Sequence, residues 1–231
     1  MHLSLSDPVS YSVRRRYLDR DLTAESRSFQ GRVLEIGAGR AGRRGQFRPP
    51  AEGITTWVFV DRDAARRPHV CGDVTRLPIQ SAVFDTIVCL EVLEYVWAPH
   101  EALTEMQRLL RPGGTLMLST PFFHRVDAPD DYWRFTEPGL RRLLREAGFD
   151  VVRLVAQGGA LAAAAGILRY VVSVQRRWIT RVLSLVLRPV FGALLQADPS
   201  GTRNHPVLAT FTTGYLVIAR SHPDHADDAA R

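Results

Sequence analysis

The chain has 231 residues, 45% hydrophobic and 23% charged, and a net charge of +6 in which every lysine-or-arginine position is arginine. That balance suits one globular domain able to bury a core. Two cysteines are too few for a disulfide framework, residues 1–12 show no basic-then-apolar leader pattern, and no run of about 20 uncharged residues is present to span a membrane.

Taken in chain order, Arg14, Arg15 and Arg16 fall in an expected N-terminal helix, where the run reads as a solvated face. Short apolar, β-branched runs follow at Val33–Ile36, Trp57–Asp61, His69–Cys71, Phe84–Cys89, Gly114–Ser119, Phe149–Ala156 and Thr213–Ala219. Several are almost continuously apolar, as strands covered on both faces are. Helices are expected over Pro99–Leu110 and Glu137–Ala147, the second with Thr136 as N-cap, Pro138 in its first turn and Gly148 just past its end. Strands alternating with helices predict an α/β fold with a mostly parallel sheet. The tract Arg40–Gly53 is too rich in Arg, Gly and Pro for a full helix, and Gly159–Gln196 reads as a long helical insertion before the last strand. Cys71 and Cys89 lie in apolar stretches and read as small buried thiols.

The sharpest segment is Val33-Leu34-Glu35-Ile36-Gly37-Ala38-Gly39, continuing to Gly42. A strand ending in a glycine turn lets the backbone bend tightly and admit a ligand beyond the strand's carboxyl end. The spacing Gly37-x-Gly39-x-x-Gly42 alone is a weak dinucleotide signal. Asp61 ends the second strand, where a carboxylate can accept from both hydroxyls of a ribose. Asp73, after the third strand, can accept from an adenine amino group. An adenosine-containing ligand is therefore expected.

The set V-L-E-I-G-A-G, V-F-V-D, G-D-V-T-R-L-P, F-D-T-I-V-C-L-E-V-L-E and L-R-P-G-G-T-L resembles the class I S-adenosylmethionine-dependent methyltransferases, in the small-molecule branch that includes quinone- and sugar-pathway enzymes. The resemblance runs from about Gly31 to Gly158 and implies a Rossmann-like fold, while the strand count and the helical detour before Thr213–Ala219 predict a seven-stranded, mostly parallel sheet whose last strand is antiparallel between the fifth and sixth. It implies S-adenosylmethionine as cofactor. Gly37 and Gly39 would pass under its methionine part, with Glu35 near the amino group. Asp61 would hold the ribose, Asp73 and Val74 would face the adenine, and Leu90 and Glu91 would line the other side of the methionyl portion. This chain departs from the pattern in having Tyr95 where many relatives have His, and only a short tract between Asp61 and Asp73.

The stretch Ser119–Phe135 follows the fifth strand and should border the cleft. His124 is its one histidine and the candidate general base; Tyr132, Trp133 and Arg134 are candidate substrate contacts, although the aromatics could equally pack under the following helix. No metal site is expected. Competing functions are a nicotinamide-dependent oxidoreductase on the same glycine turn and a non-catalytic binding module at a membrane complex. The expected partner is a small-molecule or lipid-linked acceptor, not nucleic acid, because no appended RNA-binding domain or exocyclic-amine tetrad is seen. The expected organisation is a helical lid over 1–30, a core over 31–158 and 206–221, an apolar insertion over 159–198 and a polar tail over 222–231, in a cytoplasmic protein. Within the insertion, Arg169, Ser173, Arg177, Thr180, Ser184 and Arg188 form one polar stripe, leaving Val171, Val174, Leu185 and Leu187 on an uncovered face for a membrane or a second subunit, with contact through 160–188 at the inner face of the membrane.

Overall fold

The computed structural model describes residues 12–37, 45–174, 186–187, 189–190, 192–195, 197 and 205–222. Its centre is a seven-stranded sheet in the order β3-β2-β1-β4-β5-β7-β6. The strands are β1 (Gly31–Ile36), β2 (Ile54–Asp61), β3 (Val70–Cys71), β4 (Phe84–Leu90), β5 (Leu110–Pro121), β6 (Phe149–Ala156) and β7 (Gly214–Ser221). The first five are parallel, and β7 runs antiparallel between β5 and β6, as the strand count and the helical detour predicted. In register, Ile36 of β1 lies beside Val60 of β2 and Cys89 of β4, which aligns the carboxyl ends of three strands.

Alternation along the central strands divides their side chains between two cores. On one face Leu34, Ile36, Ile87 and Leu118 pack with Leu103 and Met106 of α2 (Pro99–Leu109) and with Leu140 and Leu144 of α3 (Glu137–Glu146). On the other, Val33, Val88 and Met117 pack with Leu18 and Leu22 of α1 (Val13–Ala24), Phe29 and Phe47. Each fully buried leucine contributes roughly 1.5–3 kcal/mol over an exposed one. Local signals set the helix starts. Ser12 caps α1 by accepting from Arg15 N at 3.1 Å, and Thr136 caps α3 by accepting from Gly139 N at 3.3 Å. Gly148 follows α3 at φ +82°.

Three expectations need correction or limits. Cys89 is buried but Cys71 is exposed, because β3 is a two-residue strand at the sheet edge and cannot cover it. The arginine run is not uniformly solvated: Arg14 is 6% exposed, for a reason given below. The insertion begins with α4 (Ala160–Val174), whose Ala162 packs on Val13 and Tyr17 of α1. Most of the expected polar stripe, with Leu185 and the Val174 side chain, lies outside the described residues, as do 38–44.

Candidate functional site

A cavity of about 720 Å³ opens at the carboxyl ends of β1, β2 and β4, where the strand order reverses. Gly37 forms its floor at φ +68°, and a Cβ there would stand 2.3 Å from Val92 Cγ2. Only glycine leaves that space open. Gly37, Asp61, Asp73, Val74, Glu91 and Tyr132 all line the cavity. Gly39 lies outside the described residues.

Several of the lining carboxylates are pinned. Asp61 accepts from Asp63 N at 3.0 Å and pairs with Arg66 at 3.5 Å. Asp73 accepts from the Thr75 amide at 2.9 Å and hydroxyl at 2.8 Å, which folds the turn after β3. Arg62, just after β2, pairs with Asp130 of the loop after β5. That pair joins the β2 end to the opposite wall. The described lining carries six carboxylates (Asp61, Asp73, Glu91, Glu101, Asp127 and Asp130) against two guanidiniums (Arg62 and Arg66). A protein of net positive charge thus presents an acidic cavity.

Glu91 is the focus. It follows β4 at φ +56°, a conformation uncommon for a residue with a side chain. Its carboxylate receives a two-nitrogen fork from Arg14 of α1 and a hydrogen bond from Ser119 Oγ at 2.7 Å. Arg14 also donates to Thr213 O at 3.0 Å. Gly214 makes this approach possible, since a Cβ there would lie 1.5 Å from Arg14 Nη1. Burial pushes the Glu91 carboxyl up, but the Arg14 guanidinium and the Ser119 hydroxyl outweigh it and hold it below the usual carboxylate range. The neighbouring Glu94 is pushed up to about 9 by burial and then by the Glu91 charge, so it is protonated at neutral pH. Its Oε2 is buried without a hydrogen-bond partner.

The loop after β5 supplies the far wall. Tyr95 donates its hydroxyl to Asp127 Oδ1 at 2.7 Å. Burial and that carboxylate push the Tyr95 phenol up. His124 Nε2 is 3.4 Å from Asp127 Oδ2, and neither His124, Trp133 nor Arg134 lines the cavity. Trp133 Nε1 donates to Val96 O at 2.9 Å, and Arg134 grips Asp131 with both terminal nitrogens. These two brace the loop. Tyr132 meets Trp97 edge to face at 5.2 Å beside the cavity. Glu35 and Leu90 also stand off the lining. Glu35 is buried on the α1 side of the sheet and accepts from Trp57 Nε1 at 2.9 Å, while Leu90 packs on the core of that same side.

Sequence reasoning passed over Arg62, Trp97 and Asp130, and took Arg14 for part of a solvated face. For Arg14 a signal existed: it shares a helical face with Leu18 and Leu22, both fully buried.

Parts of the chain are similar to known proteins. Residues 55–118 match the family described as "Methyltransferase domain". A probable S-adenosylmethionine-dependent methyltransferase of Mycolicibacterium smegmatis is 35% identical over 97 residues, covering 38% of this chain and 38% of that one. A demethylmenaquinone methyltransferase of Mycolicibacterium paratuberculosis is 48% identical over 62 residues, covering 25% of this chain and 27% of its own. The matched stretches thus span well under half of these relatives. The solved 1,6-didemethyltoxoflavin-N1-methyltransferase of Burkholderia thailandensis, with bound 1,6-didemethyltoxoflavin and S-adenosylhomocysteine, superposes with a TM-score of 0.50 at 20% identity over 94% of this chain and 81% of that one.

Proposed function

We propose that this chain, whose sheet is that of the class I S-adenosylmethionine-dependent methyltransferases and whose segment 55–118 is a methyltransferase-domain segment, transfers the methyl group of S-adenosylmethionine to a small-molecule acceptor. The carrying observation is the acidic cavity over the Gly37 turn, with Asp61 at the end of β2. Those residues fit the cofactor. Gly37 leaves room for a chain passing across the strand end, Asp61 can accept from both ribose hydroxyls, and six carboxylates suit a cation. A nicotinamide dinucleotide would instead bring its anionic pyrophosphate against those carboxylates.

When bound, S-adenosylmethionine supplies an electrophilic methyl group on a positively charged sulfur. The residues' work is then to bind and align, since in-line displacement depends chiefly on holding the acceptor close. In this reading Asp61 receives the ribose once Arg66, half-exposed and 3.5 Å away, gives way. Asp73 and Val74 face the adenine, Gly37 runs beneath the methionine portion, and Glu91 closes its other side. Arg14 keeps the Glu91 carboxylate ionised and anchors α1 as a lid over the sheet. For an acceptor that must lose a proton, His124 is the base. With Nε2–H directed at Asp127, its Nδ1 takes the proton.

The likeness to a demethylmenaquinone methyltransferase favours a quinone-like, lipid-linked acceptor. The test is transfer of labelled methyl groups from S-adenosylmethionine into an extract of small molecules and isoprenoid quinone precursors. Wild type should label one product and Asp61→Ala should not. Labelling of no fraction by a chain that also fails to bind S-adenosylhomocysteine would end this reading.

A further inference from the structure

The loop after β5 does more than wall the cavity. Its Arg125 guanidinium lies over the Tyr170 ring of α4 at 5.3 Å, and its Phe123 ring stands 6.3 Å from that of Phe211. Those two contacts bring the loop, α4 and the one-turn helix before β7 to a single edge of the molecule. The edge is apolar and open. Helix α4 buries Ala162 and Ala165 completely, while Ile167, Tyr170 and Val171 are 48–52% exposed on another face, at positions one helical turn apart. Val126 at the loop tip is 73% exposed. Soluble chains rarely leave such surfaces contiguous and bare.

Charge says what covers it. Residues 159–204 contain six arginines and one aspartate, leaving twenty-four arginines against twenty-three acids in the rest of the chain. Nearly all of the +6 net charge therefore belongs to the stretch that begins with α4, rather than being spread evenly. Helix α4 itself carries Arg169 and no acid. Apolar side chains beside Arg125 and Arg169 match an anionic bilayer, into which the apolar groups insert while guanidiniums stay at the headgroups. A second copy of the chain fits less well, because a two-fold interface would set this basic stretch against itself. Among the described residues no helix is long and apolar enough to cross a membrane.

We propose that the edge formed by Phe123, Val126, Ile167, Tyr170, Val171 and Phe211 docks on the surface of an anionic lipid bilayer. The loop bordering the cavity is part of that edge, so a bilayer-borne acceptor would meet the cavity at its point of departure from the lipid. Docking does not depend on the methyltransferase reading, and one experiment separates the two. The full chain is sedimented with phosphatidylcholine vesicles and with mixed phosphatidylcholine–phosphatidylglycerol vesicles, and titrated with S-adenosylhomocysteine in parallel. Binding to the mixed vesicles alone, weakened by salt and reduced roughly tenfold or more in Ile167→Ser/Val171→Ser of unchanged circular dichroism, is the expected result. Three results would overturn the proposal: no vesicle binding, equal binding to neutral vesicles, or a wild-type dimer that the double substitution splits into monomers. Vesicle binding by a chain that takes no S-adenosylhomocysteine would support docking and count against methyl transfer alone.

Discussion

Replacing Arg14 by alanine tests the link between α1 and the cavity. The Arg14 side chain is 7% exposed and its partner Glu91 is 27% exposed. Removing one member of a buried pair costs about 3–5 kcal/mol, mostly because the other charge stays behind without compensation. Glu91 keeps its bond from Ser119 and some contact with water, which brings the expected cost of Arg14→Ala to about 2–4 kcal/mol. In urea the midpoint should fall by about 1 M with the slope unchanged. Adding Glu91→Gln should recover part of the loss, since a neutral amide leaves no orphan charge, and the cycle should show coupling of about 1 kcal/mol or more. Gly214→Ala should reproduce the defect by a separate route, its Cβ meeting Arg14 Nη1 at 1.5 Å and Thr120 O at 2.5 Å. An unchanged midpoint for Arg14→Ala, or strictly additive effects in the cycle, would refute the claim that the pair anchors α1.

Asp61→Ala should weaken S-adenosylhomocysteine binding by roughly 1–3 kcal/mol in calorimetry, the scale of lost charge-assisted hydrogen bonds, and Asp73→Ala by less. A larger loss at Asp73 would reverse the ranking of the two sites. Glu94 predicts a pH effect. Its folded value of about 9 lies above the ordinary carboxyl value of 4.5, so between those limits the folded chain holds a proton that the unfolded chain releases. Stability from Glu94 is thus full below about 4.5 and is lost as pH rises toward 9. Glu94→Gln should flatten that decline in urea titrations from pH 5 to pH 9, and an equally steep decline would show that Glu94 is not its source. With an acceptor in hand, His124→Ala should lower kcat while leaving cofactor affinity alone; equal turnover would remove His124 from the mechanism.

The sheet was largely legible because its signals are local and repeated. Phe149–Ala156 is apolar with β-branched residues and bounded by Gly148 and Gly158, and it is the observed β6 residue for residue. The helical detour before Gly214 was the cue that the last strand would enter antiparallel between two others. The site was legible where the backbone demands a residue type, as at Gly37, and where strand ends converge, as at Asp61 and Glu91. What escaped depends on contacts far apart in sequence. Arg14 and Glu91 are 77 positions apart, and Arg62 and Asp130 are 68 apart. Strand parity placed Glu35 on the α1 face with Val33, so its side chain turns toward Trp57 instead of lining the cavity. Trp133 and Arg134, read as substrate contacts, spend their polar groups bracing the loop that carries Tyr132.

The most direct test of the central claim is isothermal titration of the full chain with S-adenosylhomocysteine and, separately, with NADH. The acidic cavity over Gly37 predicts one S-adenosylhomocysteine per chain, lost in Gly37→Val, whose side chain would fill the space against Val92, and no heat from NADH. Saturable NADH binding without S-adenosylhomocysteine binding would contradict the account and return the glycine turn to a dinucleotide.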